Sequence, residues 1–191
     1  EQADTRFSIQ SISKVFALAM CLSIKGDDLW TKVGKEPSGT AFNSLVQLEV
    51  EHGIPRNPFI NAGAIVIADL LLTHLENPEA DFLRFVREVS CNDSIDYNKE
   101  VALSERKEGY LNAAIVNLLK YHGTIENDIE DVLHFYFMMC SIEMSCHFFL
   151  FYCWFRFISP PGTASEGNRI GKWFTGSLPH CRRQCCPAST R

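Results

Sequence analysis

The sequence predicts a mainly helical chain. Three observations point there: five stretches repeat their apolar residues at helical spacing, one opens on acids suited to a helix dipole, and proline and glycine punctuate the gaps. In chain order, residues 11–23 read as a helix with Ile12, Val15, Phe16 and Ala19 as its buried stripe. Residues 29–33 form a short apolar segment closed by the turn chemistry of Pro37-Ser38-Gly39. Residues 42–50 suit a helix or an ordered loop, and 53–58, with Pro55 and Pro58, a loop. Residues 62–75 are strongly apolar and predict a buried helix with Ala64, Ile67 and Leu71 on one face. Residues 81–89 predict an amphipathic helix with Phe82, Phe85 and Val86 inward. Residues 105–121 predict another, striped by Leu111, Ala114, Ile115, Leu118 and Leu119. The last helix spans 128–140, and its acidic first turn complements the helix dipole.

Composition bounds the function. A chain of 191 residues can bury a sizeable core. A net charge of −5 does not suggest general nucleic-acid binding. Eight cysteines could form a disulfide framework, but Cys21, Cys140 and Cys146 fall in apolar helical patterns, where free cysteine acts as a small hydrophobe. With no secretory signal pattern, the expectation is a reducing cytoplasm.

The chemical feature is Ser11-Ile12-Ser13-Lys14 at the start of the first helix. A serine hydroxyl is a weak nucleophile until a base takes its proton. Positions i and i+3 share a helix face, so the Lys14 amine can be that base. Free backbone N–H groups at a helix N-terminus can receive a developing negative charge. Ser-x-x-Lys also marks serine β-lactamases and penicillin-binding proteins, but their companion Ser-Asp-Asn and Lys-Thr-Gly motifs do not occur here.

Five blocks extend the pattern. They are Phe7-Ser8-Ile9-Gln10 running into Ser11–Phe16; Val33-Gly34-Lys35-Glu36-Pro37-Ser38-Gly39 with Phe42-Asn43; Asn57-Pro58-Phe59-Ile60-Asn61-Ala62-Gly63-Ala64-Ile65; Ser104-Glu105 with Asn112-Ala113-Ala114-Ile115; and Phe135-Tyr136-Phe137 with Cys140-Ser141-Ile142. In this order, over residues 1–146, they resemble the serine-dependent glutaminases. The resemblance implies an α/β (α+β) fold of β-lactamase/transpeptidase type, of which this chain holds mostly the helical part. It implies hydrolysis of L-glutamine to L-glutamate and ammonia through a serine acyl-enzyme, with no metal or organic cofactor. It implies a homo-oligomer, dimer or tetramer, without nucleic-acid or membrane partners.

Ser11 is then the nucleophile and Lys14 its base; burial can lower a lysine pKa enough for that. Asn61 opens a helix, where asparagine caps well, and the resemblance makes it a substrate contact. Glu105 and Asn112, seven residues apart on one predicted helix, share a face and suit the zwitterionic end of an amino acid. The resemblance also makes Tyr136 a substrate contact and proton relay near Ser11, where the residues alone suggest an aromatic core position.

Residues 147–191 differ in character. Arg156, Arg169, Lys172, Arg182, Arg183 and Arg191 face the single acid Glu166. The uncharged run 144–155 is too short to span a bilayer, which takes roughly 20 residues. His180, Cys181, Cys185 and Cys186 lack zinc-ribbon spacing. The segment reads as sequence from a shifted frame or retained intron, or as disordered. The family's Gly-Met-Tyr-Asp-like and Lys-Ser-Gly-Val-Gly-Gly-like segments are not found after Cys146, nor its Tyr-Ile-Pro segment and strand before Ser11. The expectation is therefore a glutaminase domain incomplete at both ends. Two alternatives are an impaired fragment that joins intact subunits and a serine amidohydrolase of other specificity.

Overall fold

A computed structural model describes residues 4–90 and 92–146; the divergent segment 147–191 lies outside them. Strand β1 (Arg6–Ser8) runs through a 3-10 turn (Gln10–Ile12) into helix α1 (Ser13–Lys25). A second 3-10 turn (Gly26–Thr31) and a loop lead to α2 (Leu45–Val50), α3 (Asn61–His74) and α4 (Pro78–Val89). Strand β2 (Asp96–Tyr97), α5 (Lys99–Glu108), α6 (Tyr110–Tyr121), α7 (Ile129–Cys140) and β3 (Ile142–Ser145) complete the order.

Helix α3 is the axis of the core. Every residue from Asn61 to Leu71 is buried, so the helix is enclosed all round and wrapped on its sides by α1, α6 and α7. The predicted one-sided face of Ala64, Ile67 and Leu71 is therefore too narrow. Phe82 of α4 meets Phe135 of α7 edge-to-face at 6.1 Å, an aromatic geometry that favours the positive ring edge over the negative face. Helix α4 is amphipathic as expected, with Phe82, Phe85 and Val86 inward. It starts three residues earlier because Asn77 accepts from the Ala80 N–H and Pro78 fits the first turn. Helix α7 also follows expectation: Asp128 caps it by accepting from the Glu130 N–H.

Four expectations need correction. Helix α1 begins at Ser13, because Gln10–Ile12 wind more tightly. Its buried side is Ser13, Lys14, Phe16, Ala17, Met20 and Cys21, while Val15 is exposed; the face turned to α3 and α7 includes the lysine, which an apolar stripe overlooks. The single helix 105–121 is two. It breaks at Gly109, where a Cβ would strike the Phe137 ring at 2.6 Å and the Glu105 carbonyl at 2.7 Å, so Leu111 and Ala114 turn outward. Cys146 is exposed, beyond the end of β3, whereas Cys21 and Cys140 are buried.

The strands are the fourth correction. β1, β3 and β2 form an antiparallel sheet in that order, pairing Phe7 with Met144 and Tyr97 with Ile142. Each is four residues or fewer, too short for alternation to register. The sheet ties residues just before α1 to residues just after α7, with the Ile9 N–H donating to the Ile142 carbonyl at 2.9 Å. Both ends of the segment that carries the site are thus pinned together. No helix among the described residues is long and apolar enough to cross a membrane.

Candidate active site

The site is built where the first turns of α1 and α3 meet. Ser11 is exposed, in the 3-10 turn ahead of α1. Gln10, just before it, holds φ +48°, a left-handed conformation that costs a non-glycine residue energy and recurs at functional turns. The Ser11 hydroxyl makes no hydrogen bond within the described residues and faces solvent.

Lys14 is the opposite: it is 4% exposed. Its amine donates to the Phe59 carbonyl at 3.0 Å and to Asn61 Oδ1 at 2.8 Å. Burial pulls its pKa below the ordinary lysine value, with Cys140 opposing. The Phe59 carbonyl is aimed by Asn57, whose side-chain oxygen accepts from the N–H groups of Phe59 and Ile60 at 3.0 and 3.1 Å. This Asx turn is the local habit of asparagine.

Asn61 is the first residue of α3, not its cap; Ile60 occupies the cap position without a side-chain bond. Freed from capping, Asn61 bridges. Its Oδ1 accepts from Lys14, and its Nδ2 donates to Asn112 Oδ1 at 2.9 Å. Asn61 turns its oxygen to the lysine and its nitrogen to Asn112. The structure thus brings Lys14, Asn61 and Asn112 into one hydrogen-bonded chain.

Glu105 and Asn112 stand on separate helices, α5 and α6, across the Gly109 break. The single shared helix face expected of them therefore does not exist. Tyr136 is buried at 3% exposure. Burial, then Cys140, pushes its hydroxyl pKa upward, with Glu105 adding to the rise. Cys140 is also raised by burial, against the pull of Ser13, Lys14 and Tyr136. Ser13 donates to Cys140 Sγ at 3.8 Å. Tyr136 and Cys140 are thus both buried, and the half-buried Glu105 is near enough to raise the pKa of each.

Sequence reasoning missed Ser13, Asn57 and Cys140, and the role of the Phe59 carbonyl. Ser13 and Asn57 stand inside quoted blocks, and Cys140 opens Cys140-Ser141-Ile142; polarity in an otherwise apolar stretch was the available signal. A backbone carbonyl leaves none. Among the described residues no three of His, Cys, Asp and Glu gather closely enough to share a metal ion. His134 pairs instead with Glu79 at 2.9 Å, away from this site.

A glutaminase family profile matches residues 2–153. A glutaminase of Christiangramia forsetii is 55% identical over 144 residues, covering 75% of this chain and 47% of that protein. The chain spans about half the length of the curated relatives it matches. Among solved structures, a Bacillus glutaminase crystallised at high salt superposes with TM-score 0.67 at 34% identity, over 75% of this chain and 49% of that one. The glutamate form of Mglu superposes with TM-score 0.67 at 26% identity, over 75% and 33%. These neighbours share the β-lactamase-like architecture, and the helices and small sheet described above are its helical part. A match that covers most of the sequence, with the same helices in the same places, makes this chain a member of the glutaminase family.

Proposed function

We propose that this chain carries the nucleophile and base of a glutaminase that releases ammonia from L-glutamine. The observation that carries the reading is the number of acceptors on Lys14. A neutral amine has two N–H bonds and one lone pair. Phe59 O and Asn61 Oδ1 take two N–H bonds, and burial favours the neutral form. The lone pair is left to receive a proton.

In the proposed reaction the Ser11 oxygen attacks the side-chain carboxamide carbon of glutamine while Lys14 takes the hydroxyl proton. The tetrahedral intermediate collapses, the C–N bond breaks, and Lys14 returns the proton to the leaving ammonia. Water then attacks the acyl-serine ester, again through Lys14, giving glutamate and free Ser11. Asn112, with its oxygen committed to Asn61, has its Nδ2 available to donate to a substrate carboxylate, and Glu105 offers an acceptor for the ammonium group. The glutamate form of Mglu shows a related fold holding the product's amino acid.

A second reading, association with other glutaminase-family chains as a homo-oligomer, is favoured by the exposed Phe42, Val46, Val50 and Phe59. A reducing compartment such as the cytoplasm suits the unpaired Cys21, Cys140 and Cys146.

The test is ammonia release from L-glutamine, paired with covalent labelling by a diazoketone analogue of glutamine and intact mass measurement. The expected result is a single adduct on Ser11, lost in Ser11→Ala together with any turnover. Labelling that persists in Ser11→Ala would remove Ser11 from the nucleophile's role.

A further inference from the structure

We propose that the groove between α5 and α7 is a binding site for a small organic carboxylate with an aryl body. It does not depend on the reaction proposed above.

One face of each helix builds the groove. Lys99, Ala102, Leu103 and Arg106 of α5 stand at i, i+3, i+4 and i+7, the spacing of a single helix face, and all of them line it. Helix α7 answers with His134, Phe137 and Met138, again at i, i+3 and i+4, and Glu79 of α4 adds the last wall. The two helices run antiparallel. The Asn98 N–H, just before α5, bonds the Ser141 carbonyl just after α7 at 2.9 Å, and Arg106 near the end of α5 reaches Glu130 near the start of α7 at 2.7 Å. The groove holds about 290 Å³, the low end for a ligand pocket. Its α5 wall is about 10 Å long, two turns of helix. A small molecule fits these dimensions and a protein segment of useful length does not.

The floor is apolar and the rim is charged. Ala102, Phe137 and Met138 are buried, so the floor offers a ring and a thioether, both favourable partners for an aromatic body. Leu103 is 58% exposed, apolar surface that an occupant would cover. Each acid near the rim already faces a cation: Glu130 pairs with Arg106 and Glu79 with His134. Lys99 makes no hydrogen bond or ion pair among the described residues, so the charge left over is positive. Arg106 bonds Glu130 through one N–H and keeps others to donate. A carboxylate therefore finds donors here, whereas an ammonium group finds acids already paired. The floor also reaches toward the candidate active site, since the Phe137 ring lies 5.7 Å from that of Tyr136.

The test uses the full chain labelled with ¹³C-methyl methionine and 3-phenylpropionate as the probe. Met138 is the methionine that lines the groove, and its methyl signal is identified by its loss in Met138→Leu. That signal should shift on titration and saturate with a Kd on the order of 1 mM, as befits so small a ligand. The signals of Met20 and Met144, buried elsewhere in the core, should hold. Lys99→Glu should weaken binding about tenfold, because a modest surface attraction becomes a repulsion of similar size. Leu103→Glu, at an exposed position the fold can spare, should weaken it comparably by setting an anion over the apolar floor. The amine 3-phenylpropylamine, with the same body and the opposite charge, should bind about tenfold more weakly than the acid. A Met138 signal that the acid leaves unmoved, equal binding of acid and amine, or undiminished binding in Lys99→Glu overturns the proposal. A Met138 signal that moves with protein concentration alone assigns the groove to a second copy of the chain and overturns it too. None of these readouts involves Ser11 labelling, so they stand or fall separately from the glutaminase reading.

Discussion

Asp69 and Lys14 are both ionisable, both on helices of the core and both buried, at 2% and 4% exposure. Their partners differ. The Asp69 carboxylate receives the Glu126 N–H at 3.1 Å, the Asn127 N–H at 2.9 Å and the Asn127 side-chain amide at 2.9 Å. It is surrounded by donors and fastens α3 to the loop that opens α7. Lys14 has two acceptors, both neutral. A buried ion whose bonding capacity is filled holds the fold together. One with two neutral acceptors and burial against its charge is held for the reaction proposed above rather than for the fold. The contrast predicts that removing Asp69 harms stability and spares chemistry, while removing Lys14 harms chemistry more than stability.

The largest expected effect is Lys14→Met. The side chains are alike in length and unbranched, so packing survives. Labelling of Ser11 should fall roughly 10²–10⁴-fold, the usual contribution of a general base. The urea midpoint should fall less than in Asp69→Ala, because removing the desolvated amine offsets part of the cost of leaving the Phe59 carbonyl and the Asn61 oxygen without their donor. The pH dependence sharpens this. Lys14 releases its proton at lower pH in the folded chain than in the unfolded one. Between those two values the unfolded chain binds the extra proton, so stability rises with pH across that window. Below the window the burial penalty is complete. Urea midpoints taken through this range should show the rise in the parent chain and a smaller one in Lys14→Met. A Met variant that labels as fast as its parent would end the role of Lys14 as base.

Next in size is Asp69→Ala. It leaves two backbone N–H groups and an amide without their acceptor and should cost about 3–5 kcal/mol in urea unfolding. Ser11 labelling in the cold, where the variant is folded, should stay within about threefold of the parent rate; a cost below about 1 kcal/mol would dissolve the contrast with Lys14.

The same contrast explains what could be read from the residues. Lys14 declared itself through its spacing from Ser11, and α4 and α7 through apolar period and capping chemistry. Asp69 did not: one acid in the apolar run 62–75 carries no periodic signal, and its donors arrive from residues 126 and 127. The strands were illegible for a related reason. β1 and β2 are three and two residues long and gain order only by pairing with β3, far away in sequence. The bend at Gly109 was missed because a lone glycine in a helical pattern is usually tolerated; here the Phe137 ring lies where its side chain would be. Ser11, Asn61, Glu105, Asn112 and Tyr136 came from matched blocks, so the blocks located them without showing that Asn61 bridges.

The smallest effect concerns what aims the acceptors of Lys14. Gly63 stands in the first turn of α3, and a Cβ there would collide with the Asn57 carbonyl and touch Pro58. Asn57 is not free to yield, since its amide also donates to the Glu36 carbonyl at 2.9 Å. Gly63→Ala should push the loop outward and carry the Phe59 carbonyl away from the lysine. Alanine gains up to about 1 kcal/mol in helix propensity, and overpacking costs about 1–3 kcal/mol, so the net loss of stability is small. Labelling should nevertheless slow about tenfold, because an amine with one acceptor is less firmly positioned, a loss on the scale of one hydrogen bond. A variant that gains stability and labels at the parent rate would show that the loop is pliant and that Asn61 alone suffices to aim the base.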